Sequence, residues 1–136
     1  MTIVIDASVA LKWVLDEPGR DAADALLDED LTAPALWLLE AANALWRRSR
    51  RGEISGDEAR ERLTELYSAP VATSAIEADL PAAAGLANTL GHPVYDCLYL
   101  AAAIRENTWV VTADSRFRAV VEQSPALRGL VRMLDG

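Results

Sequence analysis

The sequence predicts an α/β fold: a central parallel sheet with helices on both faces. Two observations carry that prediction. Short apolar, β-branched runs alternate along the chain with longer stretches of helical character, and alternation of that kind marks parallel α/β architecture. The first run, Thr2 to Ile5, is β-branched throughout, as befits a strand buried on both faces.

The remaining elements follow in order. Ala7 to Leu15 reads as a short helix, and Arg20 to Asp30 as a second, with Ala23, Leu26 and Leu27 on one face. Leu31 to Ala33 is a short strand. Pro34 then opens a helix from about Ala35 to Arg51, because proline suits a first helical turn. Ser55-Gly56-Asp57-Glu58 has the pattern of a capping box and starts a helix reaching Ser68. Val71 to Ala75 is a strand. Asp79 to Leu90 is a helix closed by Gly91, a residue free to take the left-handed conformation. Val94 to Glu106 is a helix, Trp109 to Thr112 a strand, Asp114 to Glu122 a helix, and Leu130 to Met133 a last strand.

The totals bound what such a chain does. Its 136 residues, 51% of them hydrophobic, suit a single domain, 1–136, around one core. No apolar stretch reaches membrane-spanning length, so no membrane association is expected, and the N-terminus lacks the features of a signal peptide. Cys97 is the only cysteine and has no internal disulfide partner, which suits a reducing cytoplasm. A net charge of -8 disfavours non-specific nucleic-acid binding, which runs on positive charge. It does not exclude a nuclease, whose metal site needs acidic ligands.

Four carboxylates stand alone in uncharged surroundings. Asp6 ends the first strand, Glu40 is the only charge between Leu31 and Trp46, Asp96 the only one between Leu80 and Ile104, and Asp114 closes the run from Thr108 to Ala113. Charged side chains are rarely buried without a partner or a metal. In a parallel sheet the strand ends and helix starts share one rim, where ligands bind, and all four residues belong to such positions. Two unit charges about 4 Å apart repel by about 4 kcal/mol at an effective dielectric of about 20. A converged set therefore takes up protons or a cation. Magnesium fits, keeping its waters and needing one or two direct carboxylates, and manganese fits too. Zinc does not, given one histidine and one cysteine. A metal so held activates water for phosphodiester hydrolysis.

Each acid also has an ordinary explanation. Asp6 and Asp114 suit helix N-caps, as does Asp96 after Pro93, and Glu40 could pair with a buried arginine. Ser8 and Thr112 stand two residues from Asp6 and Asp114; they could position a water or phosphate, although local hydroxyl-to-backbone bonds are commoner. His92, the only histidine, precedes a proline and offers little for a catalytic triad. The basic run Arg47-Arg48-Ser49-Arg50-Arg51 complements a helix C-terminus and also forms the obvious patch for a nucleic-acid backbone or an acidic partner. Arg116 is placed to hold a phosphate or to stay solvated. Trp13, Trp37, Trp46 and Tyr99 suit core or interface packing.

At these residues the chain resembles the PIN-domain ribonucleases, most closely the VapC-type toxins of type II toxin–antitoxin pairs. The likeness lies in Ile3-Val4-Ile5-Asp6-Ala7-Ser8, in Leu39-Glu40-Ala41-Ala42-Asn43, in Tyr95-Asp96-Cys97-Leu98-Tyr99, and in Thr112-Ala113-Asp114-Ser115-Arg116-Phe117. Ala7 stands where many relatives carry Thr or Ser, and 52–77 shows no family signal. The resemblance implies a PIN-like three-layer α/β/α fold with a protruding helical hairpin. It further implies Mg²⁺ or Mn²⁺ held between the acids, cleavage of single-stranded RNA, a homodimer, and neutralisation by a small VapB-like antitoxin. The hairpin from Ala35 to Ser68 would then clamp the antitoxin.

The expected activity is thus a metal-dependent endoribonuclease, with Asp6 and Asp96 as direct ligands and Glu40 and Asp114 acting directly or through water. Its rivals are a catalytically inactive PIN-like interaction module and a phosphohydrolase with Asp6 as nucleophile. Enzymes of the latter kind commonly carry a second Asp two residues on, where this chain has Ser8.

Overall fold

A computed structural model describes residues 1–135; Gly136, the last residue of the expected 1–136 unit, lies outside the described residues. They form a five-stranded sheet in the order β3-β2-β1-β4-β5, with every pairing parallel. The strands are β1 (Thr2–Ile5), β2 (Asp30–Pro34), β3 (Val71–Ser74), β4 (Val110–Thr112) and β5 (Val131–Met133). The helices are α1 (Ala7–Ala10), α2 (Arg20–Ala25), α3 (Trp37–Arg50), α4 (Gly56–Leu66), α5 (Leu80–Leu90), α6 (Val94–Arg105) and α7 (Ser115–Glu122). The alternation read from the sequence is the architecture found.

The strand order decides where a site can form. From β1 the chain steps outward to β2 and β3, then returns to the other side of β1 for β4 and β5. The direction reverses between β1 and β4, which pair through Val4–Val110 and Ile5–Val111. A crevice at strand carboxyl ends opens at such a switch point. Asp6 follows β1 there, and Asp114 stands just beyond β4.

Burial matches this placement. Val4, Ile5 and Val110 are fully buried. Helix α6 packs against β1, β2 and β4, and every residue from Cys97 to Ala103 is buried. A helix apolar on all sides belongs in an interior, and Asp96 stands in its first turn. Helices α3 and α4 pack against each other across a short connection and form the expected hairpin.

Three boundaries differ from expectation. Pro34 ends β2, opposite Ser74, instead of opening a helix, and α3 begins at Trp37. A proline biases the residue before it towards extended backbone, so Ala33 holds the strand. Glu40 consequently sits in the first turn of α3. The expected helices at Ala7 to Leu15 and Arg20 to Asp30 each shorten to one α segment followed by a 3₁₀ turn, Leu11–Trp13 and Leu26–Asp28, the usual tight ending for a short helix.

Candidate active site

Asp6 is buried at the N-cap of α1, where its Oδ1 accepts from the Ser8 and Val9 amides at 3.1 and 3.4 Å. Asp114 caps α7 in the same way, with Oδ1 accepting from the Arg116 and Phe117 amides. Both are therefore N-caps and rim carboxylates at once. Asp96 is not a cap: α6 has no side-chain cap, and Asp96 Oδ2 instead meets His92 Nε2 at 2.6 Å. Among the described residues Glu40 pairs with no arginine; its Oε1 accepts the hydroxyl proton of buried Tyr99.

Two hydroxyls fasten Asp6 to the Asp114 turn. Ser8 Oγ donates to Asp6 Oδ1 at 2.5 Å and accepts the Ala113 amide at 2.9 Å. Thr112 Oγ1 donates to Asp6 Oδ2 at 2.5 Å and accepts the Asp114 amide at 3.0 Å. A hydroxyl has one proton to give. With both protons directed at Asp6, the 3.4 Å approach of Ser8 to Thr112 is contact and not a third bond.

The four acids line one cleft of about 200 Å³ together with Ser8 and Arg47. Burial raises the Asp6 carboxyl to about 6; the Ser8, Thr112 and Val9 bonds oppose that shift, and the Asp96 charge adds to it. Burial also raises Glu40, opposed by the Tyr99 bond and reinforced by Asp96 and Asp6. These acids sense one another across the cleft. Among the described residues, however, no three acid, His or Cys side chains form a ready-made coordination cage. The grouping is one of cleft dimensions. That suits a hydrated magnesium-like ion, which takes few direct carboxylates. Glu40 Oε2, Asp96 Oδ1 and Asp114 Oδ2 accept no protein hydrogen bond among the described residues, leaving oxygen donors for such an ion.

The PIN domain model matches residues 3–123, a span containing all four acids. The chain belongs to the PIN domain family. It is 36% identical over 132 residues to Ribonuclease VapC3 of Pyrobaculum aerophilum, covering 93% of this chain and 98% of that relative. Among solved structures, PAE2754 of Pyrobaculum aerophilum superposes with a TM-score of 0.75 at 22% identity, over 99% of this chain and 85% of the other. VapBC2 of Rickettsia felis, bound to a DNA fragment from its promoter, gives 0.64 at 15% identity, over 98% of each. Mycobacterium tuberculosis VapC20, a Sarcin-Ricin loop cleaving toxin, gives 0.66 at 17%, over 86% and 93%. At those identities the structural likeness is one of fold.

Other features of this PIN domain differ from the sequence reading. Arg48 does not line the cleft and pairs instead with Glu17 at 2.6 Å and Glu53 at 3.9 Å. Arg116 is exposed and does not line the cleft; only its amide meets Asp114. Arg47 does line it, and borders a larger groove of about 650 Å³ walled by Leu39, Leu80, Val94, Tyr95 and Leu98. Trp37 and Tyr99 lie in the core, and Trp46 is 55% exposed. The contacts of His92 with Asp96 and of Tyr99 with Glu40 are not legible in the sequence, because neither side chain announces its partner along it.

Proposed function

We propose that this chain is a metal-dependent endoribonuclease toxin that cleaves single-stranded regions of RNA and is neutralised by a cognate VapB-like antitoxin. The observation that carries the proposal is the cleft at the sheet's switch point, lined by Asp6, Glu40, Asp96 and Asp114. The kinship with Ribonuclease VapC3 supports ribonuclease chemistry, and the fold shared with VapBC2 and VapC20 supports the toxin–antitoxin setting.

Asp6 and Asp96 would hold Mg²⁺ or Mn²⁺ directly, with Glu40 and Asp114 contributing directly or through water. Bound there, the ion supplies Lewis-acid polarisation of a phosphoryl oxygen and a lowered pKa for its water. The chain supplies the rest. Ser8 and Thr112 fix the Asp6 carboxylate in one orientation. Where Glu40 acts through water, its Oε2, with Oε1 committed to Tyr99 and the pKa raised by burial, would be the acceptor for a proton from that water. Arg47, on the cleft wall, neutralises phosphate charge; Arg116 and Arg48, which do not line the cleft, would act further out along the substrate.

The groove beside the cleft exposes Leu39 and Tyr95 at 73% and 65%, a face suited to a second copy of the chain. The acid rim suits the basic tail of an antitoxin. None of the described helices is long and apolar enough to cross a membrane; the proposed site of action is the cytoplasm, where RNA is found. An Asp6 nucleophile is disfavoured, since Ser8 stands where enzymes of that kind commonly carry a second Asp.

The deciding experiment is incubation of a mixed RNA pool with wild type and Asp6→Asn, each with Mg²⁺ and with EDTA. Cleavage that needs both Asp6 and metal is expected. Equal cleavage by Asp6→Asn would remove the acid cleft as the active site, and a folded wild type that neither cuts RNA nor binds Mn²⁺ would favour an interaction module.

A further inference from the structure

His92 is the only histidine, and the nuclease reading of the four acids gives it no part. The structure holds it on several sides. Gly91 ends α5 at φ +63°, and its amide and that of His92 both donate to the Ala87 carbonyl, at 2.8 and 3.2 Å. Pro93 then starts α6 from an extended conformation. The His92 carbonyl faces the Cys97 thiol at 3.9 Å. Between these anchors the imidazole, 15% exposed, reaches over the first turn of α6 and sets Nε2 2.6 Å from Asp96 Oδ2. A carboxylate accepts only, so the proton in this contact is on Nε2.

The ring has a second contact. It lies parallel to the Phe117 ring, with centroids 5.4 Å apart and an interplanar angle of 16°. Phe117 is buried, and its amide donates to Asp114 Oδ1 at 3.4 Å. One side chain thus touches the third acid directly and packs on the residue whose amide holds the fourth. Asp6, Glu40 and Asp114 are each oriented by hydroxyl or amide donors. For Asp96 the corresponding donor is His92.

We infer that His92 is a positioning residue that holds Asp96 for metal binding and, through Phe117, couples it to the Asp114 turn. The inference rests on the proposed nuclease site. With Oδ2 held by His92, Oδ1 is the oxygen left for the cleft. Fixing a ligand's orientation before the ion arrives raises affinity without a further ligand, as groups behind metal ligands generally do. His92 itself touches neither ion nor RNA in this arrangement.

The test is Mn²⁺ binding, followed by the electron paramagnetic resonance signal of the free ion, for wild type, His92→Ala, His92→Gln and Asp6→Asn, with circular dichroism to confirm folding. RNA cleavage is measured on the same samples. Glutamine places its amide nitrogen as many bonds from Cα as Nε2 of histidine, so it restores the donor without the aromatic ring. His92→Ala is expected to weaken Mn²⁺ binding by about 10-fold or more, and to lower kcat at limiting metal with KM for RNA unchanged. His92→Gln is expected to recover most of that affinity. Wild-type Mn²⁺ affinity in a folded His92→Ala, or a His92→Gln as weak as His92→Ala, would overturn the inference while a dead Asp6→Asn left the nuclease site standing. Full cleavage by Asp6→Asn would overturn both.

Discussion

The Thr112 hydroxyl donates to Asp6 Oδ2 at 2.5 Å while accepting the Asp114 amide at 3.0 Å. One atom therefore sets the distance between the carboxylate after β1 and the turn after β4. Thr112 is fully buried, so no water can replace its hydroxyl. Thr112→Val keeps the shape and removes the bonds, leaving a buried acceptor and an amide unsatisfied. We expect a loss of about 1–3 kcal/mol in chemical denaturation together with reduced RNA cleavage, and recovery of both in Thr112→Ser. A Thr112→Val protein as stable and active as wild type would show that the hydroxyl does not organise the site.

Asp6 also makes metal-free stability depend on pH. Its carboxyl is raised from 3.8 to about 6, mainly by burial, so the folded state binds the proton more tightly than the unfolded chain. The resulting stabilisation is complete below the unfolded value and is lost as pH rises through about 6. The metal-free protein should therefore gain about 1 kcal/mol between about pH 7 and pH 5, and Glu40, raised in the same direction, adds to the slope. Thermal melts in EDTA should show the gain, Asp6→Asn should reduce it, and Asp6→Asn with Glu40→Gln should abolish it. Saturating Mg²⁺ should flatten it in wild type by favouring the carboxylate.

Tyr99 carries a different prediction. Its ring is fully buried, and its hydroxyl donates to Glu40 from 59 residues away. That bond lowers the Glu40 pKa against the larger effect of burial. Tyr99→Phe keeps the packing and lets the Glu40 pKa climb further. Stability should change by only about 1 kcal/mol, because Glu40 is half-buried and water can reach it. The acid limb of the pH–rate profile for RNA cleavage should move to higher pH, and an unmoved limb would remove Glu40 as the proton acceptor.

The sequence exposes one part of this site and conceals another, for a physical reason. Asp6, Glu40, Asp96 and Asp114 are legible because each is a charge in an apolar run, and burial of a charge calls for an explanation. Strand and helix types are legible from β-branched runs and Gly or Pro breaks, as at Thr2–Ile5 and Gly91. The partners of the acids are not. Tyr99 reads as one more apolar position, and only the fold, which brings it to Glu40 from 59 residues away, reveals its hydroxyl there. His92 reads as a turn residue because its stack on Phe117 depends on tertiary packing. Pro34 misleads because the same fixed φ serves a strand end and a helix start. Arg48 reads as one more base of its run, and only the fold brings Glu17 to it.

The apolar groove beside the acids carries the last prediction. Leu39 and Tyr95 project from α3 and α6, and Leu80 and Val94 border the same groove at 39% and 37% exposure. Exposed apolar side chains scattered singly are ordinary, but a contiguous set marks an interaction surface. Glu40 and Arg47 belong to both this groove and the acid cleft, so a second copy seated here would border the catalytic acids. Leu39→Glu with Tyr95→Glu places two charges on that face, and two copies related by a twofold axis would bring four together. Light scattering after size-exclusion chromatography should give a dimer for wild type and a monomer for the double variant, with unchanged circular dichroism. Mn²⁺ binding should survive the change, because no acid or hydroxyl of the cleft is altered. A double variant that remains dimeric would move the interface elsewhere, and one that is monomeric but has lost Mn²⁺ would make the second copy part of the metal site.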